Sequence, residues 1–344
     1  CVSGKKCKVQ ADCVTNLCAS GVCTWPAKGT WLTIKAGAFS MGSPASEPCR
    51  YAPETQHPVT LTRSFEIQST EVTQGQFKSL VKYNPSKNAA SKSCASDDCP
   101  VDNVNWHEAA MYCNALSVNI SIPACYTCTK WGTGVSCKEN ALYGGTKLAT
   151  CAGYRLPTEA EWEYVYRAGT KTPFYNGKND SKVCTSCTSQ DANLSKAAWY
   201  CSNSGNKTHP VGHKLANPWG VFDMAGNVHE WTHDYFANVM GSASVTDPTG
   251  PVTGTSKSVR GGGFSHEAGR SRAAFRGYGV PTGRWSYVGF RCVRTLSATL
   301  YTGLEAYYPF SGNANDATSN AKHGTVSGAS LTTDRKGKDN SAYL

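Results

Sequence analysis

Seventeen cysteines constrain the fold of this 344-residue chain more than any other feature of its sequence. Many of them, such as Cys94, Cys99, Cys184 and Cys187, lie in polar loop sequence. So many exposed thiols would be a liability in a reducing cytosol, whereas disulfides formed in an oxidising compartment explain them. Because the count is odd, at least one cysteine is free or pairs outside the chain. We therefore expect an extracellular or cell-surface protein.

The composition is that of a folded protein with a core, at 40% hydrophobic and 17% charged residues. The net charge is +10, but no run of basic residues occurs, so we do not expect nucleic acid as a partner. No apolar run is long enough to predict a transmembrane segment. The chain begins with Cys1 instead of Met, which fits either a processed N-terminus with a bacterial-type lipoprotein anchor or a fragment.

The sequence divides into three parts. Residues 1–24 hold five cysteines and few large apolar side chains, which predicts a disulfide-held segment. A zinc cluster is the alternative there, but no histidine is near and the spacing is uneven. Residues 30–295 form the main domain, and a new unit begins near residue 300. Its sequence "LEAYYPFSGNANDATSN" resembles the start of a laminin-G-like or concanavalin-like domain, so we expect 300–344 to be an all-β jelly-roll fragment.

Local patterns predict several elements of the main domain. The stretch "WLTIKAGAFSMGS" (31–43) predicts a hairpin of short strands, and "PVTLTRSFEIQSTEVT" (58–73) predicts two more strands. One face of the second helix should hold Trp106, Ala110, Cys113 and Leu116. Three helix starts carry a capping box or a close variant: Thr73 with Gln76, Asn105 with Glu108, and Thr158 with Glu161.

Two segments lack periodicity. Residues 125–151 contain Cys125, Cys128, Cys137 and Cys151, which allow two bridges in three pairings. Residues 170–260 are rich in Asn, Gly, Pro and Asp. Irregular stretches of this length usually carry function or bind ions.

Seven motifs occur in order over roughly residues 30–295: "GAFSMGS" (37–43), "STEVTQGQF" (69–77), "PVDNVNWHEAAMYCNALS" (100–117), "YRLPTEAEWEYVYRAGT" (154–170), "ANPWGVFDMAGNVHEWTHDYF" (216–236), "SVRGGGF" (258–264) and "YVGFRCVR" (287–294). Together they resemble the formylglycine-generating enzyme family, also called the sulfatase-modifying factor domain. The family implies an α+β fold, a C-type-lectin-like variant with short strands, few helices and long loops. It also implies a disulfide between Cys113 and Cys292, worth about 4–5 kcal/mol in the chain-entropy model.

The resemblance also implies an oxidase that holds copper between two cysteines just after the "RGG" segment. In this chain His266 and Ser271 stand at those two positions, and Gly263 replaces the family's serine. No cysteine occurs between Cys201 and Cys292. Because copper(I) needs soft thiolate ligands, we expect neither copper nor the family's oxidase activity, and we predict no catalytic residue. We expect His266 and Glu267 to lie on an exposed loop.

Calcium is the cofactor that we expect, in a structural role, because hard oxygen ligands in loops suit it. In the "AGNVHEW" motif the resemblance implies Ala225, Gly226, Val228 and Glu230 as ligands. For a second site the corresponding set is Asn193, Leu194, Asn203 and Gly205. The alternative is that Asn227 and Glu230 only cap local turns.

We expect ligand binding at the groove where the family has its active site. Arginine and aromatic side chains are enriched where protein surfaces bind partners, although each one singly is more often structural. The candidates are His266, Arg270, Arg272, Arg276, Arg284 and Trp285.

Three functions follow from the sequence as hypotheses. The first is a secreted, non-catalytic binding or structural module whose partner is a glycan or a cell-surface protein. The second is a divergent metal-dependent oxidoreductase that uses a non-thiol site. The third is a scaffold or assembly component. The sequence leaves the oligomeric state open.

Overall fold

The computed structural model describes residues 29–51, 53–86, 94–180 and 182–296, together with the backbone of four short strands outside these ranges. The chain forms two units, Cys1–Leu296 and Ser297–Leu344. Apart from those strands, the segments predicted at 1–24 and 300–344 lie outside the described residues, so the disulfide-held segment and the jelly-roll fragment stay predictions. No helix of the described residues is long and apolar enough to cross a membrane.

The described elements are four α-helices, seventeen short strands and long connecting loops. The helices are α1 (Gln74–Val81), α2 (Trp106–Asn119), α3 (Glu159–Arg167) and α4 (Leu194–Ala197). The strands are β1 (Cys18–Ala19), β2 (Val22–Cys23), β3 (Trp31–Ile34), β4 (Gly37–Met41), β5 (His57–Leu61), β6 (Phe65–Gln68), β7 (Tyr126–Thr129), β8 (Ser136–Glu139), β9 (Tyr154–Arg155), β10 (His229–Tyr235), β11 (Val245–Thr246), β12 (Lys257–Arg260), β13 (Gly277–Gly279), β14 (Val288–Gly289), β15 (Val293–Thr295), β16 (Leu331–Thr332) and β17 (Ala342–Tyr343).

Three small sheets build the main unit. One has the order β3-β6-β15-β9, the second β11-β5-β4, and the third β13-β12-β10-β14. In the third sheet β10 pairs antiparallel with β12 and parallel with β14. Strands β7 and β8 form a separate hairpin, and β1–β2 and β16–β17 are two-stranded pairs. Few helices with mostly strands and loops agree with the α+β class expected from the sequence.

The hairpin predicted for residues 31–43 is wrong. Strands β3 and β4 form as expected, but β3 pairs with β6 and β4 pairs with β5. The two strands therefore belong to different sheets. Alternation along one strand shows which face is buried, but the partner strand depends on contacts distant in sequence.

All three predicted helix starts are confirmed. The side chains of Thr73, Asn105 and Thr158 each accept a bond from the backbone amide three residues on, and the Gln or Glu side chain there accepts a bond from the cap residue's backbone amide. The expectation of a single apolar face on α2 is too narrow, because Glu108, Ala109, Met111 and Tyr112 are buried as well. A helix buried nearly all round lies inside the core and not at its edge.

The twelve cysteines from Cys49 to Cys292 form six disulfides. The expected Cys113–Cys292 bridge is present, and it ties α2 to the segment before β15. In the 125–151 segment the pairing is Cys125–Cys151 with Cys128–Cys137. The remaining pairs are Cys49–Cys184, Cys94–Cys99 and Cys187–Cys201.

The β7–β8 hairpin is also held to β10 by a buried histidine. Leu156 N donates to the Tyr126 hydroxyl, which lies 3.1 Å from Nδ1 of His233. Nε2 of His233 lies 2.8 Å from a Glu139 carboxylate oxygen. The neutral Nε2–H tautomer satisfies both contacts, and burial lowers the pKa of His233 to about 4.

We expect acid to destabilise the fold through His233. Between its ordinary pKa of 6.5 and the folded value of about 4, the unfolded chain binds a proton that the folded chain does not. The free energy of unfolding therefore falls as pH falls through this window, by about 3 kcal/mol from this group. Urea unfolding at pH 7 and pH 4 measures the loss. In His233→Gln the loss should shrink, whereas the exposed His213→Gln control should match the wild type. An equal loss in all three proteins would contradict this.

Candidate functional site

A cleft of about 500 Å³ lies on the β13-β12-β10-β14 sheet, and each of its four strands contributes to the lining. Loops around Tyr51 and Trp285 close its sides. The lining residues are Tyr51, Pro53, His229, Phe236, Asn238, Val259, His266, Arg270, Phe275, Arg276, Gly277, Tyr278, Trp285, Tyr287 and Val288.

The glycines after β12 shape the backbone next to the two histidines of the cleft. Gly261 and Gly262 have φ of +96° and +73°, the left-handed region that glycine adopts without strain. A Cβ on Gly262 would stand 2.5 Å from Oγ of Ser271. The turn also directs the Gly262 amide to Nδ1 of His229, at 3.1 Å. The "RGGG" segment is therefore needed for the backbone geometry beneath the cleft.

Two histidines meet in the cleft wall. The ring centroids of His229 and His266 are 4.6 Å apart in an edge-to-face arrangement, and the ring of Tyr287 lies 4.8 Å from that of His266. Burial lowers the pKa of His266 to about 4 and that of His229 well below its ordinary value. Both imidazoles are therefore neutral at pH 7. The expectation of an exposed loop holds in part, because His266 lies in a loop but is half-buried against His229 and Tyr287.

Aromatic rings make up much of the remaining surface. Trp285 stacks near Tyr287 with centroids 6.5 Å apart. Phe236 packs against Tyr278 at 4.6 Å, and Tyr278 remains 64% exposed. An exposed aromatic side chain beside a concave surface is available for contact with a ligand.

The structure brings four of the six predicted ligand-binding residues to the cleft: His266, Arg270, Arg276 and Trp285. Arg272 is buried elsewhere, where it pairs with Glu47 and Glu54. Arg284 pairs with Glu108 of α2 and is not part of the lining. Each guanidinium group therefore joins its own segment to the one that carries its carboxylate partner. For Arg284 that segment is α2.

The two arginines of the cleft are paired as well. Arg276 binds Glu159, with Nε 2.5 Å and Nη2 2.9 Å from the two carboxylate oxygens, and it is buried. Arg270 binds Glu267 at 2.8 Å and is half-exposed at the rim. None of the described lining residues carries a carboxylate. The cleft is therefore aromatic and close to electrically neutral.

The first predicted calcium set lies beside a group of buried acids. Glu230 accepts bonds from both Arg291 and Trp162. Burial raises the pKa of Glu71 well above its ordinary value, and the charges of Asp223 and Glu230 raise it further. All three carboxylates interact with the guanidinium of Arg291. Both oxygens of Glu230 already accept bonds from Arg291, one of them also from Trp162, so calcium at Ala225, Gly226, Val228 and Glu230 stays a prediction.

The second predicted set is engaged in the local fold. Asn193 and Leu194 begin α4, and their carbonyls accept bonds from Lys196 N and Ala198 N. The Asn203 side chain bonds to Tyr200 N and Ala198 O. Gly205 forms a turn with φ of +62°. Calcium at this set stays a prediction.

Several cleft residues escaped the sequence analysis. Tyr51, Pro53, Phe236 and Asn238 come from loops far from the glycine-rich segment, and no local pattern links them to it. His229 lies inside the motif that suggested calcium, so its side chain was not considered for the groove. His229 is the first residue of β10, a strand that reaches the groove. Because side chains alternate between the two faces of a strand, the pattern along β10 could have suggested that His229 faces the groove.

Comparisons with known proteins agree with the fold. A family model described as "Sulfatase-modifying factor enzyme 1-like domain" matches residues 24–296. The chain is 30% identical over 259 residues to chaperone protein LppX of Paenibacillus barcinonensis. This match covers 69% of this chain and 82% of that protein. The chain is 28% identical over 295 residues to the formylglycine-generating enzyme of Thermomonospora curvata, covering 77% and 93%.

Among solved structures, the fold resembles Treponema denticola variable protein 1, with a TM-score of 0.65 and 29% identity. The match covers 78% of this chain and 95% of that one. The family model spans the region that contains the three sheets and the cleft. The chain therefore belongs to the family of sulfatase-modifying factor enzyme 1-like domains, with the C-type-lectin-like fold of that family.

Proposed function

We propose that this protein is a secreted, non-catalytic binding module whose cleft takes an uncharged, ring-bearing ligand, a glycan presented at a cell surface. The observation that carries the proposal is the composition of the cleft, which is aromatic, lacks carboxylates and holds only paired arginines. The β13-β12-β10-β14 sheet and the disulfides around it make a rigid support for such a surface.

Physical chemistry favours a sugar in this cleft. The apolar faces of sugar rings stack on aromatic side chains such as Trp285 and Tyr278, while neutral imidazoles and tyrosine hydroxyls bond to sugar hydroxyls. A charged ligand would meet no unpaired opposite charge among the described lining residues. Binding should therefore change little between low and high salt, because screening weakens mainly interactions between exposed charges.

Support for a secreted, non-catalytic role comes from two further features. Six disulfides among the described residues are typical of proteins that fold in an oxidising compartment. The positions that the resemblance gives to copper thiolates hold His266 and Ser271, so the soft ligands of that chemistry are missing. A relative named as a chaperone, LppX, also favours binding over chemistry, and a protein partner is the alternative outcome of the test.

Trp285→Ala should weaken binding of the glycan at least tenfold. The substitution removes the largest aromatic surface of the cleft, and truncating a buried aromatic contact commonly has an effect of this size. A glycan array identifies the ligand, and calorimetry then compares the variants. Trp131→Ala is the matched control, since Trp131 is 55% exposed and lies outside the cleft. Equal losses in both variants, or no glycan bound by the wild type, would overturn the proposal.

We also propose structural calcium at the first predicted set. Ala225, Gly226 and Val228 would supply carbonyls and Glu230 a carboxylate, at the start of β10. A chelator should lower the melting temperature by several degrees, and calcium should restore it while magnesium, which demands a tighter geometry, should not. The measurement is a thermal scan with excess chelator, then with each ion. An unchanged melting temperature in all conditions would contradict structural calcium.

A further inference from the structure

A second cavity, of about 230 Å³, is lined by the segment 237–251 together with residues of β4, β5, α3 and β10. The segment belongs to the irregular stretch 170–260, whose length favours a functional role. We infer that this second cavity binds a small uncharged molecule, whose apolar part fills the space and whose carbonyl oxygen accepts a hydrogen bond from the carboxyl group of Asp234. The site goes beyond the proposed function, because it needs no glycan. Of its described lining residues only Arg276 also lines the cleft.

Most of the lining is apolar. Met41 and Ala160 are buried there, and Met240, Val245 and Pro248 come from the segment 237–251. An apolar cavity of about 150 Å³ is enough to bind benzene, so the larger volume here has room for a ring that carries a polar substituent. A charged group would lose its hydration in such surroundings. The cavity therefore suits an uncharged ligand.

The polar side chains of the lining are engaged, with one exception. Glu159 binds Arg276 through both of its carboxylate oxygens. Nδ1 of His57 lies 2.9 Å from the Thr55 carbonyl oxygen. Asp234 is the exception, because its Oδ2 accepts a bond from Glu159 N at 2.8 Å while its Oδ1 has no hydrogen-bond partner among the described residues. One polar atom of the lining is thus left for a ligand.

The carboxyl group of Asp234 is a hydrogen-bond donor at pH 7. It is 3% exposed, and burial together with the charge of Glu159 raises its pKa to about 8. Lys257 acts on it but forms no ion pair with it, since Nζ of Lys257 donates to the His233 carbonyl and lies over the ring of Tyr235. A neutral carboxyl group carries one O–H. Because Oδ2 accepts from the backbone, the proton is on Oδ1, and a carbonyl oxygen in the cavity would be its partner.

A glycine keeps the space beside this oxygen unfilled. Gly250 has φ of +74°, and a Cβ there would stand 2.8 Å from Cβ and 3.1 Å from Oδ1 of Asp234. A larger residue at this position would be strained and would crowd the carboxyl group. The segment 237–251 therefore passes close to Asp234 without covering Oδ1 with a side chain.

The four methionines of the chain make the test specific. Met41 and Met240 line the second cavity, whereas Met111 and Met224 do not. The full chain is labelled with carbon-13 at the methionine methyl groups, and acetophenone, a ring with one carbonyl group, is added. We expect the resonances of Met41 and Met240 to shift and to saturate together, while those of Met111 and Met224 stay in place. Met111 lines a separate apolar groove beside α2, so its resonance reports binding there.

Asp234→Asn isolates the role of the carboxyl group, because the amide keeps the shape and a donor but does not titrate. In the wild type the affinity for acetophenone should fall about fivefold or more between pH 6.5 and pH 9.5, as the carboxyl group loses the proton that it donates. The variant should bind equally at both values. Lys257 also titrates near pH 8, and the variant controls for it. The charged and titratable groups that act on Asp234 or line the same cavity are Glu159, Glu161, Lys257, His57, Tyr235 and Arg276.

Ala243→Trp places a large ring at an exposed position of the lining and should abolish the shifts of Met41 and Met240. Circular dichroism and a thermal scan establish that both variants fold. Resonances of Met41 and Met240 that do not move in the wild type, or a shift of Met111 alone, overturn the inference. Shifts that persist in Ala243→Trp, or the same pH dependence in wild type and Asp234→Asn, overturn it too. None of these outcomes bears on glycan binding, which the Trp285 comparison decides separately.

Discussion

Replacing both Cys113 and Cys292 by alanine should lower the free energy of unfolding by about 5 kcal/mol, as the chain-entropy model gives for this loop. The bridge joins residues 179 apart in sequence, so it removes much of the conformational freedom of the unfolded chain. Both cysteines are also fully buried in the core around α2. Urea unfolding of the wild type and of the double variant measures the difference.

The Cys94–Cys99 pair offers the matched control. Its cysteines are only 5 residues apart, so the same model gives about 2 kcal/mol for Cys94→Ala with Cys99→Ala. The loss in free energy of unfolding should therefore be more than twice as large for the Cys113–Cys292 variant as for the Cys94–Cys99 variant. Losses of equal size would mean that the stabilisation does not arise from loop closure.

Arg291→Met should destabilise the fold by about 3–5 kcal/mol, the range for breaking a buried ion pair from one side. Arg291 binds both oxygens of Glu230 at 2.7 Å and also the carbonyls of Gln68 and Phe222. Its removal leaves Glu230 buried beside two other carboxylates, Glu71 and Asp223. Denaturant unfolding at pH 7 gives the change in free energy.

Arg294, three residues further along the chain, serves as the control. Its pair with Glu66 is partly exposed, with 26% and 22% of the two side chains accessible. Exposed ion pairs contribute about 0–1 kcal/mol, so Arg294→Met should be close to neutral. If the two variants lose the same free energy, the buried carboxylate cluster does not need Arg291.

Features that depend on neighbouring residues could be predicted from the sequence. The caps at Thr73, Asn105 and Thr158 involve residues only three positions apart, so each helix start is determined by neighbouring residues. The Cys113–Cys292 bridge followed from the family resemblance. Strand pairing could not be predicted from the sequence. Strand β4 pairs with β5 and not with the adjacent β3, through contacts that no local pattern encodes.

The candidate site was predicted in part for the same reason. The glycine-rich segment and the aromatic residues after it pointed to the groove, and Trp285 and His266 do line it. The arginines divided differently, because the carboxylate partners of Arg272, Arg276 and Arg284 are distant in sequence. Arg272 reaches Glu54, 218 residues away, and this pairing removes Arg272 from the cleft. The sequence shows that an arginine is present but not which carboxylate forms an ion pair with it.

The most direct test of the central claim is to locate the ligand in the cleft. With tryptophans labelled by fluorine, the resonance of Trp285, assigned through Trp285→Phe, is followed as the glycan from the array is added. We predict that Trp285 shifts in proportion to occupancy, while exposed Trp131 stays unchanged. Binding that shifts Trp131 or another tryptophan and leaves Trp285 unmoved would show that the protein binds its ligand elsewhere and would contradict the account.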